Sequence, residues 1–159
     1  MSSLDFDKVK SNWETYAGLC IKSSKFGISD LLDAVGERLI TTPFGTHEKD
    51  GGCYPGGLVE KSLETTSKMK TIASALDIEV ETRSILKVGL LHEIGKVGTL
   101  EEDLFVEQDS SWHREKLGQF YKYNENLDKS TTPDRTLYLL QHFGVTLTHD
   151  EYYAIRLSQ

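Results

Sequence analysis

The chain has 159 residues, 38% of them apolar and 27% charged, which is typical of a soluble globular protein with its own core. Its formal net charge of −7 argues against non-specific binding to nucleic acid, which needs clustered lysine and arginine. No run approaches the roughly 20 apolar residues of a membrane span, and the N-terminal segment MSSLDFDKVK lacks the apolar stretch of a signal peptide. Cys20 and Cys53 lie far apart, so we expect two free thiols in a cytoplasmic protein.

Two amphipathic helices are predicted first. Residues 5–23 repeat apolar positions at helical spacing, at Phe6, Val9, Trp13, Tyr16 and Ala17. Residues 28–40 follow Gly27 and place four apolar side chains on one side, namely Leu31, Leu32, Val35 and Leu39.

Residues 42–57, TPFGTHEKDGGCYPGG, are too rich in glycine and proline for a helix and predict a loop. His47 lies in this loop and is a candidate to reach a nearby pocket. The next helix is predicted over residues 57–76, with an inward stripe made of Leu58, Thr65, Met69, Ile72 and Leu76.

The fourth helix, over residues 79–96, is apolar on nearly every side through its middle, so we expect it at the centre of the fold. Beyond Gly98 the helical pattern weakens, and residues 103–109 and 118–124 suggest a short two-stranded ribbon. The sequence SSWHREKLG between them indicates either a phosphate or base contact by His113 and Arg114, or a surface turn anchored by Trp112.

The C-terminal part shows clear helix boundaries. Thr132 as N-cap, Pro133 in the first turn and Gly144 beyond the last turn bracket one helix. Thr148 and Glu151 match a capping box that begins a final helix. The chain is therefore predicted to form one all-α domain, residues 1–159, of about six helices with a possible β ribbon.

A candidate site lies where the fourth helix ends, at His92 and Glu93. A carboxylate near a helix C-terminus is disfavoured by the macrodipole, so a cation should compensate it. Lys96 is one candidate and a divalent metal is another, since His and Glu both ligate such ions. The turn at Gly56 and Gly57 leads directly into a helix, whose first N–H groups suit an anion.

Two blocks resemble the HD-domain superfamily of metal-dependent phosphohydrolases. YPGGLVEKSLE is similar to the Gly-Gly-Leu helix start of that family, and ILKVGLLHEIGKVG to its helix ending in Leu-Leu-His-Asp-Ile-Gly-Lys. The segment LLQHFGVTLTHDEYYAIRLS further resembles the C-terminal region of small HD proteins, some of them phage-encoded. The resemblance covers residues 51–159 and implies an HD-type helical fold.

The resemblance also implies one or two divalent metals that activate water against a phosphoester, often in a nucleotide. This chain departs from the ligand pattern. Lys61 stands where the family has its first His, and Glu93 replaces the Asp of the His-Asp pair, so only His92 matches. A protonated lysine donates hydrogen bonds but cannot ligate a metal, whereas it can replace the positive charge of one.

Two hypotheses follow. The first is a degenerate, non-catalytic HD protein without a tightly bound cofactor, which binds a phosphate-bearing small molecule or a protein partner through the inherited pocket. The candidate ligand contacts are Gly56, Gly57, Lys61, Lys96, His113 and Arg114. The alternative is an active phosphohydrolase with a noncanonical site of His92, Glu93 and Lys61, in which His92 and Glu93 hold Mn, Mg, Ni or Fe.

Overall fold

A computed structural model describes residues 4–159. Residues 1–3, with which the predicted domain 1–159 and the segment MSSLDFDKVK begin, lie outside the described residues. The structure shows an all-α fold with a two-stranded antiparallel ribbon, which confirms the predicted class. The elements are α1 (Phe6–Ser23), α2 (Ile28–Leu39), α3 (Gly57–Ala75), α4 (Thr82–Leu91), β1 (Phe105–Glu107), α5 (Ser111–Leu117), β2 (Tyr121–Tyr123), α6 (Thr132–His142) and α7 (His149–Arg156). Two 3-10 turns, Glu48–Asp50 and Ile94–Val97, flank the candidate site.

Helix α4 lies at the centre, as its apolar pattern predicted, and packs against α1, α3 and α7. Leu90 and Leu91 are fully buried, and the Tyr16 hydroxyl donates to the Leu90 carbonyl at 2.8 Å. A short connection makes α3 and α4 an antiparallel hairpin, and Gly89 lets the two helices approach closely at Thr66. The end of α4 is thereby placed on the side of the fold where α3 begins.

The predicted inward stripe of α3 is correct only in its first half. Leu58 is 1% exposed, but Ile72 is 55% and Leu76 is 67% exposed. The correction has a simple geometric cause, because the last turns of α3 and the connection to α4 extend beyond the surfaces of the other helices. The periodicity records an apolar face but not whether a neighbour covers it.

Several helix boundaries and one short helix differ from the predictions. The N-cap of α6 is Thr131, not Thr132, and its hydroxyl accepts from the Asp134 N–H. Helix α4 is shorter at both ends than the predicted 79–96, and after Leu91 the chain continues into the 3-10 turn Ile94–Val97. The segment SSWHREKLG, for which the alternatives were a ligand contact and a surface turn anchored by Trp112, forms helix α5; Ser110 caps this helix, and Trp112 is 57% exposed and does not anchor it.

The remaining expectations for these regions hold. The capping box of Thr148 and Glu151 is present at the start of α7. The ribbon pairs Phe105 with Tyr123 and Glu107 with Tyr121. Among residues 4–159, no helix combines the length and apolarity that crossing a membrane requires.

Candidate functional site

The end of α4 is held against the beginning of α6. The hydroxyl of Thr136 donates to the His92 carbonyl at 3.0 Å and accepts from the Gly95 N–H at 2.9 Å. A Cβ at Gly95 would overlap the Thr132 carbonyl oxygen, so only glycine permits this approach. His92 and Glu93 are therefore positioned by a backbone contact that glycine makes possible.

The ring of His92 is turned back onto its own helix. Its Nδ1 lies 2.9 Å from the Val88 carbonyl oxygen and 3.1 Å from that of Gly89. Since carbonyl oxygens only accept, Nδ1 is the donor in these contacts, which leaves Nε2 as the ring nitrogen that can present a lone pair. This is the arrangement in which a histidine is able to serve as a ligand or as a base.

Glu93 is neutralised by a lysine. The Lys96 Nζ lies 3.3 Å from Glu93 Oε1, and both side chains are largely buried, at 14% and 16% exposed. The same ammonium lies 3.5 Å from the centre of the Phe44 ring, which makes a cation–π contact. Burial lowers the pKa of Lys96, although the charges of Glu93 and Asp50 act in the opposite direction.

Lys61 contacts residues 42–57, which we call the glycine loop and which also carry the Phe44 ring beside Lys96. Its Nζ pairs with Glu64 Oε2 at 3.0 Å, and its Cε would lie 3.4 Å from a Cβ added to Gly51. The same loop carries Asp50, which accepts from the His47 N–H and closes the turn Glu48–Asp50. Lys61 and Lys96 therefore approach one loop from different helical elements.

A cleft of about 850 Å³ opens beside Lys96. Lys96, Phe44, Thr46 and Asp50 line the cleft together with residues of the ribbon and of the segment that leads into α6. The residues of this second group are Phe105, Tyr123, Asn124, Glu125, Asp128, Lys129, Ser130, Thr131, Thr132 and Arg135. Aromatic rings, hydroxyl groups and charges of both signs thus surround the same space.

The positively charged side chains of this cleft are not equally available to a ligand. The guanidinium of Arg135 is buried and donates to the Ser130 carbonyl and to Asp128, so it holds the loop before α6 in place. Lys129 is exposed and makes no ion pair within residues 4–159. Lys96 and Lys129 are therefore the cations that a ligand in the cleft would meet.

The glycines at the start of α3 serve mainly to pack the loop. The N–H of Gly57 donates to the Tyr54 carbonyl at 3.0 Å, and that of Leu58 to the Thr42 carbonyl at 3.1 Å. These N–H groups are therefore not open to an anion, contrary to the expectation from the turn. Gly56 lines a separate cleft of about 520 Å³, which also contains Lys8 and Glu60.

His113 and Arg114 lie on α5, and neither lines the cleft beside Lys96. The Nδ1 of His113 lies 2.7 Å from the Ser110 hydroxyl, and the Arg114 guanidinium donates to the Gln108 carbonyl. Both side chains stabilise the short helix in which they lie.

The residues present do not fit the metal set that the HD resemblance implies. Within residues 4–159, no three His, Cys, Asp or Glu side chains gather where they could hold a metal ion. His92 is suited to ligation, but Glu93 is paired with Lys96, and Lys61 carries an ammonium in an ion pair with Glu64. The positive charge beside Glu93 comes from a lysine.

Sequence reasoning did not find Phe44, Asp50 or Arg135. Asp50 had a weak signal, since it lies three residues after His47 in the position of a capping partner. Phe44 and Arg135 had none, because they reach the cleft through contacts between segments distant in the chain.

Comparisons with protein-family models, with curated proteins and with solved structures gave no match to this chain.

Proposed function

We propose that the protein is a degenerate HD-type helical protein that binds a phosphate-bearing small molecule in the cleft beside Lys96, without metal-dependent catalysis. The observation that carries the proposal is the position of the Lys96 ammonium, which neutralises Glu93 and also lines the cleft. A phosphate oxygen would replace part of the contact with Glu93. The free thiols of Cys20 and Cys53 are consistent with the cytoplasm as its location.

Charge and helix geometry support an anion at this position. Lys129 adds a second, exposed cation, and α6 begins at the wall of the cleft with the positive end of its dipole. Asp50 and Glu125 oppose binding, because their carboxylates lie in the same cleft. The balance corresponds to weak affinity, from about micromolar to about millimolar.

The aromatic side chains define the other part of the ligand. Phe105 and Tyr123 face the cleft with their ring centres 5.5 Å apart. They offer an apolar wall to a ligand whose non-phosphate part is flat or hydrophobic. Inorganic phosphate alone should therefore bind more weakly than a phosphate attached to an organic group.

Titration calorimetry with inorganic phosphate, sugar phosphates and nucleoside monophosphates tests the proposal. Lys96→Met should weaken binding at least tenfold, about 1.4 kcal/mol. Lys61→Met is the matched control, because Lys61 pairs with Glu64 and does not line the cleft. Equal binding by the wild type and Lys96→Met, or no binding of any of these compounds, would refute the proposal.

One observation favours the second candidate, a metal-dependent phosphohydrolase. The hydrogen bond from His92 Nδ1 to a backbone carbonyl is the support that metal-ligating histidines commonly have. Elemental analysis of protein purified without chelators separates the two candidates. One tightly bound Mn, Ni or Fe per chain, with phosphoesterase activity that His92→Ala abolishes, would establish the hydrolase.

The variant Lys61→His with Glu93→Asp provides a complementary measurement. If the metal site has been lost through these two positions, the double variant should bind manganese or nickel more tightly than the wild type. Adding Lys96→Met to the double variant removes the ion pair of the carboxylate at position 93, so that this carboxylate is free to ligate the metal.

A further inference from the structure

The tip of the α3–α4 hairpin exposes an aliphatic surface. Ile72, Leu76, Ile78 and Val80 are 55%, 67%, 52% and 44% exposed, although each is a residue that proteins usually bury. Single exposed aliphatic residues are common, but here four fall within nine positions at the tip of one hairpin. We call these four side chains the hairpin patch.

The hairpin patch is held in a defined conformation. Asp77 adopts a left-handed conformation with φ of 49°, and the Ile78 N–H donates to the Ala73 carbonyl at 2.9 Å. This pattern closes the C-terminus of α3 and fixes the direction of the chain that follows. The backbone at the tip of the hairpin is therefore preformed, so mainly the side chains of the patch need ordering when it meets a partner.

The spacing on α3 is that of a helix-pairing seam. Thr65, Met69, Ile72 and Leu76 follow one another at intervals of four, three and four residues, which matches alternating d and a positions of a heptad. The seam continues from the half-buried Met69 into the exposed Ile72 and Leu76. Such a seam suits another helix with the same spacing.

Charges of opposite sign flank the exposed part of the seam, Ile72 and Leu76. Lys68 and Lys70 lie before Ile72, and Asp77, Glu79 and Glu81 follow Leu76. Within the part of the chain that the structure describes, none of these five groups makes an ion pair. A surface that is positive at one end and negative at the other is complementary to a second copy of itself that runs in the opposite direction.

We propose that the hairpin patch binds a second copy of this chain, with α3 antiparallel to α3 about a two-fold axis near Ile72. In this register Met69 of one copy packs against Leu76 of the other, and the Lys68 ammonium meets the Asp77 carboxylate. The few residues that this register brings together are far fewer than the roughly 20–30 residues a side of a standard stable interface. The dimer is therefore weak and reversible.

Sedimentation equilibrium over a concentration series up to about 1 mM tests the proposal, since weak dimers have dissociation constants in the micromolar range or above. The wild type should approach twice the monomer mass at the upper end. Ile72→Glu should weaken association at least tenfold. Ile21→Glu is the matched control, because Ile21 is 56% exposed and lies outside the patch.

Two further variants test the register. Ile72→Cys should form a disulfide-linked dimer on mild oxidation, since a two-fold axis near position 72 brings the two thiols together; Ile21→Cys should not, and the native Cys20 and Cys53 are buried. Lys68→Glu should weaken the dimer, and adding Asp77→Asn should restore part of the affinity. Circular dichroism confirms that each variant is folded.

A monomeric wild type across the whole series would overturn the proposal, as would equal association by Ile72→Glu and Ile21→Glu. Disulfide formation by Ile21→Cys at the same rate as Ile72→Cys would exclude the two-fold axis near Ile72. These outcomes do not depend on the cleft beside Lys96, so the dimer proposal and the ligand proposal are tested independently.

Discussion

The Lys96 ammonium lies 3.5 Å from the centre of the Phe44 ring, and this contact joins the end of α4 to the glycine loop. A cation on an aromatic face gains most where water is excluded, and the Lys96 side chain is only 14% exposed. The contact therefore sets the position of both the loop and the amine that lines the cleft.

A double-mutant cycle measures this contact. Phe44→Leu and Lys96→Met should show a coupling of about 1–2 kcal/mol in the free energy of unfolding in urea. Lys25 and Phe26 provide the control pair, because their separation is 5.6 Å and Phe26 is 72% exposed. Their coupling should stay below about 0.5 kcal/mol, and similar values for both pairs would contradict the role given to burial.

Glu151 should make stability depend on pH below its ordinary pKa of 4.5. Burial alone would raise the pKa of Glu151, but hydrogen bonds from the Thr148 N–H and the Ser84 hydroxyl, together with the Lys87 ammonium at 3.1 Å, lower it. Because the folded pKa is depressed, the stabilisation is complete above the unfolded value. It is lost as the pH falls through the folded pKa.

Glu151→Gln isolates this contribution. At pH 7 the substitution should cost about 3 kcal/mol, because it leaves the Lys87 ammonium buried without its carboxylate. Below pH 4.5 the wild type should approach the variant, as protonation removes the same charge. A difference between the two proteins that stays constant from pH 7 to about 3 would argue against this origin.

Two glycines should respond to alanine in opposite directions. Gly95→Ala places a Cβ against the Thr132 carbonyl and the Thr136 N–H, and should cost more than about 2 kcal/mol. Gly18→Ala meets nothing within 4 Å in an exposed position of α1, and should stabilise the fold by about 0.5–1 kcal/mol. Thermal unfolding of both variants gives the comparison, and a tolerated Gly95→Ala would mean that the α4–α6 contact is loose.

The N-cap of α6 is tested with neighbouring threonines. Thr131→Ala should cost about 1 kcal/mol, because it removes the acceptor for the Asp134 N–H. Thr132→Ala should change stability by less than about 0.5 kcal/mol, since its hydroxyl has no capping role. A larger loss of stability in urea unfolding for Thr132→Ala than for Thr131→Ala would instead identify Thr132 as the N-cap, as the sequence pattern suggested.

The sequence by itself determined the features that depend on neighbours in the chain. These features are local signals, because they reflect backbone hydrogen bonding and the period of side chains. They are the periodic spacing of α1, α2 and α4, the capping box at Thr148 and the two runs that form the ribbon. The presence of His92 and Glu93 where α4 stops was visible for the same reason.

Only the tertiary structure decided which of these groups meet. The residues next to Lys96 in the sequence do not indicate that it contacts the Phe44 ring or that it shares a cleft with the start of α6. Likewise, the residues around Ile72 do not indicate that no other helix covers this end of α3. The physical reason is that an amphipathic pattern specifies a face without its neighbour, whereas burial and ion pairing depend on the neighbour that folding supplies.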